Sequence, residues 1–257
     1  MSAADADGPA MSAATRDTEV LYGVHPVLEA LRAGRRRCVE IFVSAGKGSA
    51  RLSQIADEAR ARRVPVREVS DRELAALTRA SNHQGVAARV GPYPYDGLPE
   101  SFRVAGPPPL WLLLDGVVDP RNLGAMLRTA LGAGATGVVI AKDRSASATP
   151  AVSRTSAGAL EHVKLVRVTN LNRTIDAMKA DGLWIAGLDA DAERLLFEAD
   201  LSGPLGLVVG GEGRGLRPLV RRNCDFLLRI PQCGPVDSLN AATAGAVVLY
   251  EALRQRT

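Results

Sequence analysis

An asparagine and two arginines stand on one predicted helix in the segment DGVVDPRNLGAMLRTA, residues 115–130. Asn122 falls in the first helical turn, where its side chain can meet a ligand. Arg121 and Arg128 are seven residues apart, which is two helical turns, so their guanidinium groups share a face. Two such groups side by side suit a phosphate-bearing ligand. The alternative is that both arginines are simply solvated on an amphipathic helix.

A glycine-rich loop is the second candidate site. In LVVGGEGRGL, residues 207–216, a buried strand is predicted to run into four glycines that surround Glu212. Glycine allows bare backbone amides and carbonyls to come close to a ligand. The glycines do not form G-x-G-x-x-G, and no Lys-Ser or Lys-Thr follows them as in a P-loop. The loop therefore suits a ligand without a triphosphate, unless it is only a flexible turn.

The third candidate is RIPQCGPVDSLNAATAG, residues 229–245. A strand is expected to end at Ile230, a Gly-Pro turn follows, and Asp237 or Ser238 is expected to cap the next helix. That helix begins with small residues over 241–246. They require close packing against another segment of the chain or against a partner subunit.

All three segments lie in a region, 110–257, where strands and helices alternate. The predicted strands are 110–117, 136–142, 163–168, 183–190, one beginning at 204, and 225–231. The predicted helices are 119–134, 150–160, 171–182, 217–224 and 238–256. This alternation implies an α/β fold with a parallel sheet covered on both faces. Each candidate segment follows the carboxyl end of a strand, where ligands of open α/β sheets bind.

A smaller α/β region, 18–93, precedes the larger one. Its predicted strands are 39–45, 64–70 and 85–93, and its predicted helices follow Pro26, span 51–64, and span 71–80 with Asp71 as N-cap. It carries 13 lysines and arginines against 8 aspartates and glutamates, whereas residues 94–257 carry 18 against 17. A basic region favours a polyanionic partner, although a merely solvated surface is an equal alternative.

Two further stretches connect these regions or mark their turns. Residues 94–109 are rich in proline and end in three consecutive prolines, so a semi-rigid linker is predicted there. LGAGATG, residues 131–137, has the spacing G-x-G-x-x-G of a dinucleotide site. Such a site follows a strand and opens a helix, whereas this stretch follows a predicted helix and precedes a predicted strand. Its glycines are therefore predicted to end a helix.

The composition excludes several classes of protein. The net charge of the 257 residues is +4, and no run of 18 apolar residues predicts a membrane span. Residues 1–17 lack the apolar core of a signal peptide and are predicted to form a disordered tail. The three cysteines contain no C-x-x-C pair, so neither a disulfide framework nor a zinc site is expected. The predicted location is the cytoplasm, and no metal site is predicted.

Together the three segments resemble the signature motifs of the SpoU family of RNA ribose 2′-O-methyltransferases, within the SPOUT superfamily. The matching stretches are DPRNLGAMLRTA, VVGGEGRGL and IPQCGPVDSLN, in the family's order. The first region, with YGVHPVLEAL and SNHQGVAARV, is similar to the L30e-like substrate-binding domain of bacterial 23S rRNA guanosine 2′-O-methyltransferases. One departure is that Ala241 and Ala242 stand where the family often has Val-Ser, for which we expect altered packing rather than lost function.

The resemblance implies a fold, a cofactor and partners. Residues 18–93 would bind the RNA substrate, and residues 110–257 would form the catalytic domain around a deep trefoil knot. S-adenosylmethionine would be bound by the second and third motifs, through Gly210, Ile230 and Leu239, with Leu207, Gly211 and Ser238 nearby. The substrate would be 23S rRNA or a pre-ribosomal particle, and the need for a 2′-hydroxyl excludes DNA. The family works as a homodimer, with the last helix and the first-motif helix at the interface.

The resemblance also assigns the chemistry. Arg128 would activate the 2′-hydroxyl, either directly or by holding a phosphate that accepts the proton. Asn122 and Asn240 would orient the arginine and the ribose, and Glu212 would hold the geometry of the site. The run Arg35, Arg36 and Arg37 is a candidate set of phosphate contacts, against the alternative of solvated side chains.

Three rival functions stay open from the sequence. The same chemistry on tRNA is one, and a ribosomal antibiotic-resistance methyltransferase is another. The third is a non-catalytic RNA-binding protein with a decayed site, although the presence of Asn122, Arg128, Glu212, Ser238 and Asn240 argues against decay.

Overall fold

The computed structural model describes residues 18–46, 49–103, 105–235 and 238–257. Within them the chain forms two sheets, one of four strands and one of six. The tail predicted over residues 1–17 lies outside the described residues. In the described part of the chain, none of the helices combines the length and apolar character that crossing a membrane requires.

The N-terminal unit is a four-stranded mixed sheet with three helices. Its strands are β1 (Glu19–Tyr22), β2 (Cys38–Ser44), β3 (Val66–Val69) and β4 (Val86–Val90), in the order β1-β4-β2-β3. Its helices are α1 (Val24–Ala33), α2 (Ala50–Ala61) and α3 (Asp71–Thr78). The predicted cap of α3 is wrong by one residue, since the Ser70 hydroxyl accepts from Glu73 N and Asp71 is already helical.

The C-terminal unit is built on a six-stranded sheet. Its strands are β5 (Leu110–Asp115), β6 (Gly137–Ala141), β7 (Leu165–Val168), β8 (Trp184–Leu188), β9 (Leu205–Gly210) and β10 (Phe226–Leu228). Its helices are α4 (Pro120–Gly132), α5 (Pro150–Thr155), α6 (Leu171–Ala180), α7 (Pro218–Asn223) and α8 (Ala241–Arg256). The order is β10-β8-β9-β5-β6-β7, and every adjacent pair is parallel, as predicted.

Helices cover both faces of this sheet because its central strands are apolar throughout. All six residues of β5 are buried. Leu112 and Leu114 join a core cluster that includes α4 and α8 side chains, whereas Trp111 and Leu113 join a cluster that includes α6 and α7 side chains. Because successive side chains point to opposite faces of the strand, β5 contributes to a core on each side of the sheet. This confirms the prediction of a sheet buried on both sides.

Helix α4 begins and ends as its sequence predicts. The Asp119 side chain caps it by accepting from Arg121 N at 2.8 Å, and Pro120 is its first residue. The helix ends at Gly132, Gly134 takes a left-handed φ of +69°, and β6 starts at Gly137. A Cβ on Gly137 would lie 2.5 Å from the Trp111 ring, so this glycine makes room for a core side chain. The stretch LGAGATG is therefore a helix end, as predicted.

The proline-rich stretch runs along the edge of the large sheet. Asp96 forms a parallel bridge with Val166 on the edge strand β7, and its backbone N–H donates to Leu165 O at 2.9 Å. Phe102 is buried, and its carbonyl accepts from Trp111 Nε1 at 3.0 Å. These contacts hold the stretch against the C-terminal unit.

The three-arginine run does not form a set of phosphate contacts. Arg36 is fully buried between the two units, where it pairs with Glu161 at 3.0 Å and with Glu19 at 2.8 Å. Arg35 pairs with Asp96 at 2.7 Å, and only Arg37 is exposed. The prediction is wrong for Arg35 and Arg36 because both guanidinium groups are already occupied by carboxylates at the contact between the units.

Candidate active site

A cavity of about 280 Å³ lies at the carboxyl ends of three strands of the large sheet. Its walls come from the segments that follow β8, β9 and β10 and from the first turns of α8. Residues from all four segments line it, namely Leu188, Asp189, Ala190, Val209, Gly210, Gly211, Glu212, Gly213, Gly215, Leu228, Ile230, Gln232, Ser238, Leu239, Ala241 and Ala244. The position agrees with the rule that open parallel sheets bind ligands at this edge.

Most of the residues predicted to bind the cofactor line this cavity. They are Gly210, Gly211, Ile230, Ser238 and Leu239. Leu207 does not line it, because its side chain is completely buried in the core between α4, α8 and the sheet. Of the two alanines that depart from the family pattern, Ala241 lines the cavity and Ala242 is buried in the core.

The glycines of the second motif are required by contacts between backbone segments. A Cβ on Gly210 would lie 2.2 Å from the carbonyl carbon of Gly215, and a Cβ on Gly211 would lie 2.1 Å from Gly116 O. The loop therefore folds back on itself and passes directly over the end of β5. Because Gly210 and Gly211 have no side chains, neighbouring backbone can pack directly against them. Both residues also line the cavity.

Asp115 fixes both ends of this loop. Its backbone carbonyl accepts from Gly211 N at 2.9 Å, and its buried carboxylate accepts from Arg217 N at 2.8 Å and from Arg217 Nε at 2.5 Å. None of the three candidate segments was taken to use this residue as a site residue. The only sequence signal for it is an acidic residue at the end of an otherwise apolar strand.

A chain of hydrogen bonds joins the three motifs. Asn240 Nδ2 donates to Asn122 Oδ1 at 3.1 Å, and Asn122 Nδ2 donates to Glu212 Oε1. Glu212 in turn lines the cavity. Three of the four residues predicted to be catalytic are therefore brought together, although they are separated by 118 and 90 positions in the sequence.

Asn240 is also the N-cap of α8. Its Oδ1 accepts from Ala242 N at 2.9 Å and from Thr243 N at 3.2 Å. The prediction that Asp237 or Ser238 caps this helix is therefore wrong, because the helix starts at Ala241 and its cap must immediately precede it. Asp237 itself lies outside the described residues.

The two arginines of the first motif lie apart from the cavity. Arg121 pairs with Asp119 at 2.9 Å, and their hydrogen bond lowers the pKa of the Asp119 carboxyl and raises that of Arg121. Arg128 is exposed in a separate depression of about 330 Å³, beside His25, Glu29 and His162. Neither of the two arginines therefore lines the cavity.

The segment after β8 is a part of the cavity that belongs to none of the three sequence motifs. Asp189 lines the cavity, its backbone N–H donates to Leu228 O at 3.0 Å, and its carboxylate pairs with Arg221. Asp189 and Glu212 give the described lining two carboxylates and no lysine or arginine. Because Arg221 neutralises Asp189, Glu212 is the carboxylate of the described lining that carries no ion pair, and it favours a positively charged group on a ligand.

Free cysteines complete the inventory of reactive groups. Cys38 and Cys224 are half-buried, and burial together with the nearby Asp225 raises the pKa of Cys224 to about 12. Cys233 is exposed, next to Gln232 of the cavity lining. All three are free thiols.

The parallel α/β fold and the three motifs joined at its cavity indicate the class of protein that the sequence resemblance implies, an RNA ribose 2′-O-methyltransferase. Sequence comparison identifies the family. The chain belongs to the SpoU rRNA methylase family, whose sequence model matches residues 109–250. A second model, described as RNA 2′-O ribose methyltransferase substrate binding, matches residues 20–96. The family resemblance inferred from the motifs is thereby confirmed.

Individual relatives match nearly the whole chain. It is 45% identical over 241 residues to the 23S rRNA (guanosine-2′-O-)-methyltransferase RlmB of Pseudomonas putida, covering 93% of this chain and 97% of the relative. A crystal structure of an RNA 2′-O ribose methyltransferase superposes with a TM-score of 0.81 at 31% identity, covering 95% and 90% of the two chains. The SpoU methyltransferase AviRb from Streptomyces viridochromogenes, solved in complex with AdoMet, gives a TM-score of 0.78 at 28% identity, covering 93% and 90%.

Proposed function

We propose that this protein transfers a methyl group from S-adenosylmethionine to the ribose 2′-hydroxyl of a guanosine in 23S rRNA. The observation that carries the proposal is the hydrogen-bonded chain from Asn240 through Asn122 to Glu212, which joins three family motifs at one cavity. The near-full-length similarity to a 23S rRNA guanosine methyltransferase supports the choice of substrate.

The cavity fits the proposed methyl donor. Small-molecule sites start at roughly 300 Å³, close to the size found here, and combine apolar walls with a few polar groups. Leu188, Ile230 and Leu239 provide apolar surface for a flat base, and Glu212 complements the donor's positive charge. When bound, S-adenosylmethionine supplies a methyl carbon on a positively charged sulfur, which is a good leaving group. We assign its binding to Gly210, Gly211, Ile230, Ser238 and Leu239.

The chain's own task is to hold the ribose and to help its hydroxyl lose a proton. A guanidinium group, with a reference pKa of about 12.5 or higher, is a poor base. We therefore assign Arg128 to hold a substrate phosphate that accepts the proton, and its exposure leaves it accessible to RNA. We assign Asn122 and Asn240 to position the ribose, and Glu212 to hold the geometry of the site by accepting from the Asn122 amide.

We further propose a homodimer through α4 and α8. These helices pack against each other, and Leu131 and Tyr250 are exposed large apolar side chains on them. A monomer would leave both in water, whereas a two-fold contact would bury them. Because Arg128 does not line the cavity of its own chain, we expect it to serve the cavity of the partner subunit.

Two lesser assignments accompany this function. The close backbone passages at Gly210 and Gly211 support the deep trefoil knot that the family resemblance implies. We also propose a cytoplasmic location, which a ribosomal RNA substrate supports.

The direct test is methyl transfer from isotopically labelled S-adenosylmethionine to 23S rRNA transcripts, followed by mapping of 2′-O-methyl sites. We expect label at one guanosine, and we expect Arg128→Ala to retain binding of the methyl donor while losing transfer. Full activity in Arg128→Ala would overturn the role of that residue. Methylation of tRNA but not of 23S rRNA would overturn the proposed substrate.

A further inference from the structure

A second groove lies at the contact between the two units, away from the cavity. We call it the seam groove: it has a volume of about 710 Å³ and is formed by the first turn of α3, the turn 81–85 and Arg154 of α5. It shares no lining residue with the cavity or with the depression that holds Arg128. Its turn belongs to the stretch SNHQGVAARV that resembles the family's substrate-binding domain, and the proposed methyl-transfer chemistry does not use the groove.

Cationic side chains from both units meet in this groove. Arg154 comes from the C-terminal unit, its guanidinium lies 4.6 Å from the centre of the Tyr22 ring, and its Nη1 donates to Asn82 O at 3.2 Å. A guanidinium has five N–H donors, so this contact leaves others available to a ligand. Arg72 is exposed in the first turn of α3 and makes no ion pair among the described residues.

Gln84 is held in a strained conformation at the same groove. It has a φ of +58°, and Gly85 follows with a φ of +77°. A left-handed non-glycine residue persists only where the surrounding structure holds it, and such residues cluster at functional sites. Its Oε1 accepts from Val24 N at 2.9 Å, where the N-cap Gly23 has no side chain to do so. With the oxygen committed to α1, the exposed amide has its Nε2 donor left for a ligand.

The balance of charge in the groove favours an anion. Asp71 is the one carboxylate of its lining, and its Oδ1 already accepts from the Ser44 hydroxyl at 2.6 Å. Two arginines and a side-chain amide therefore face one occupied carboxylate. Planar guanidinium groups and amide donors match phosphate oxygens.

We propose that the seam groove binds backbone phosphates of the RNA substrate, with Arg72 and Gln84 contributed by the N-terminal unit and Arg154 by the C-terminal unit. The inference rests on the proposed function, because it requires an RNA substrate. The substrate-binding family model covers residues 20–96 and so includes the turn and α3 but not Arg154. The catalytic unit therefore completes a site that the substrate-binding unit begins.

The test measures binding of a 23S rRNA fragment by fluorescence anisotropy across a series of salt concentrations. For Arg72→Gln and for Arg154→Gln we expect roughly tenfold weaker binding each, and a fall of roughly 0.7 to 0.9 in the salt slope for each lost phosphate contact. Arg60→Gln is the matched control, since Arg60 is an exposed arginine of the same unit that pairs with Asp57 on α2. It removes the same charge and should change the slope little.

Gln84→Glu separates a structural role from a binding role. The glutamate keeps an oxygen for Val24 N, and its charge suits the N-terminus of α1, so the melting temperature should be maintained. The lost donor and the added negative charge should weaken RNA binding by roughly tenfold or more. Unchanged affinity and salt slope in Arg72→Gln, Arg154→Gln and Gln84→Glu would overturn the seam groove as a phosphate site. If the wild-type protein neither binds nor methylates the rRNA, the proposed function fails instead.

Discussion

Asn240 Nδ2 donates a hydrogen bond to Asn122 Oδ1 at 3.1 Å, and the direction of that bond is fixed by the helix that Asn240 caps. The Asn240 oxygen is committed to two backbone N–H groups of α8, so its nitrogen must point at Asn122. Asn122 must then present its own nitrogen to Glu212, which accepts. A helix cap thus sets the orientation of a carboxylate at the edge of the cavity.

Asn240→Asp tests this relay. Aspartate caps helices as well as asparagine does, so α8 should be retained with a change in stability below about 0.5 kcal/mol. It cannot donate to Asn122, so we expect kcat/KM for methyl transfer to fall roughly tenfold or more, the equivalent of one lost hydrogen bond. Thermal unfolding and a methylation assay measure the two effects. Wild-type activity in this variant would show that the relay has no role in transfer, and Asn240→Ala should lose both the cap and the activity.

Gly210→Ala tests the close passage of the second-motif loop. Its Cβ would meet backbone of Gly215, which cannot move aside as a flexible side chain can, so we expect a loss of about 2 kcal/mol or more in unfolding free energy and weaker binding of S-adenosylmethionine. Gly203→Ala is the control, because nothing lies within 4 Å of its Cβ position. Calorimetry with S-adenosylmethionine and chemical denaturation give the comparison. Equal stability of the two variants would contradict the packing argument.

Glu161→Gln tests the buried ion pair between the two units. Arg36 and Glu161 are both fully buried, and Ser153 Oγ donates to Glu161 at 3.1 Å. Removing the charge leaves Arg36 with a weakened partner, for which we expect a loss of roughly 3 kcal/mol in unfolding free energy. Glu29→Gln disrupts the partly exposed pair with His162 and should cost less than about 1 kcal/mol. Similar losses in both variants would show that the buried pair is not a main support of the contact.

Mixed dimers test whether one site uses two subunits. If Arg128 serves the partner's cavity, a dimer of one Arg128→Ala subunit and one Glu212→Ala subunit contains one intact site. Random mixing of the two inactive variants should therefore restore about a quarter of wild-type activity. Sedimentation measurements verify that the mixture is dimeric. No recovery after verified exchange would place both residues in the site of the same chain.

Local patterns account for much of this molecule. The parallel sheet follows from the alternation of apolar strands with amphipathic helices, and the start of α4 follows from Asp119 and Pro120. That LGAGATG ends a helix and is not a dinucleotide site follows from its position after a helix and before a strand. The three motifs could be recognised in the sequence because each places glycine, asparagine or arginine at a strand end, where these residue types are not needed for core packing.

Contacts between residues far apart in the sequence decided the features that local patterns did not predict. Whether Arg36 meets RNA or Glu161 depends on a partner 125 positions away, and the run of three arginines carries no sign of it. Asn240, and neither Asp237 nor Ser238, caps α8. Its amide also donates to Asn122, a partner that no local pattern reveals. The sequence by itself determined which residue types stand at the strand ends. Only the tertiary structure decided which of them meet, because hydrogen bonds and burial depend on distance in space rather than along the chain.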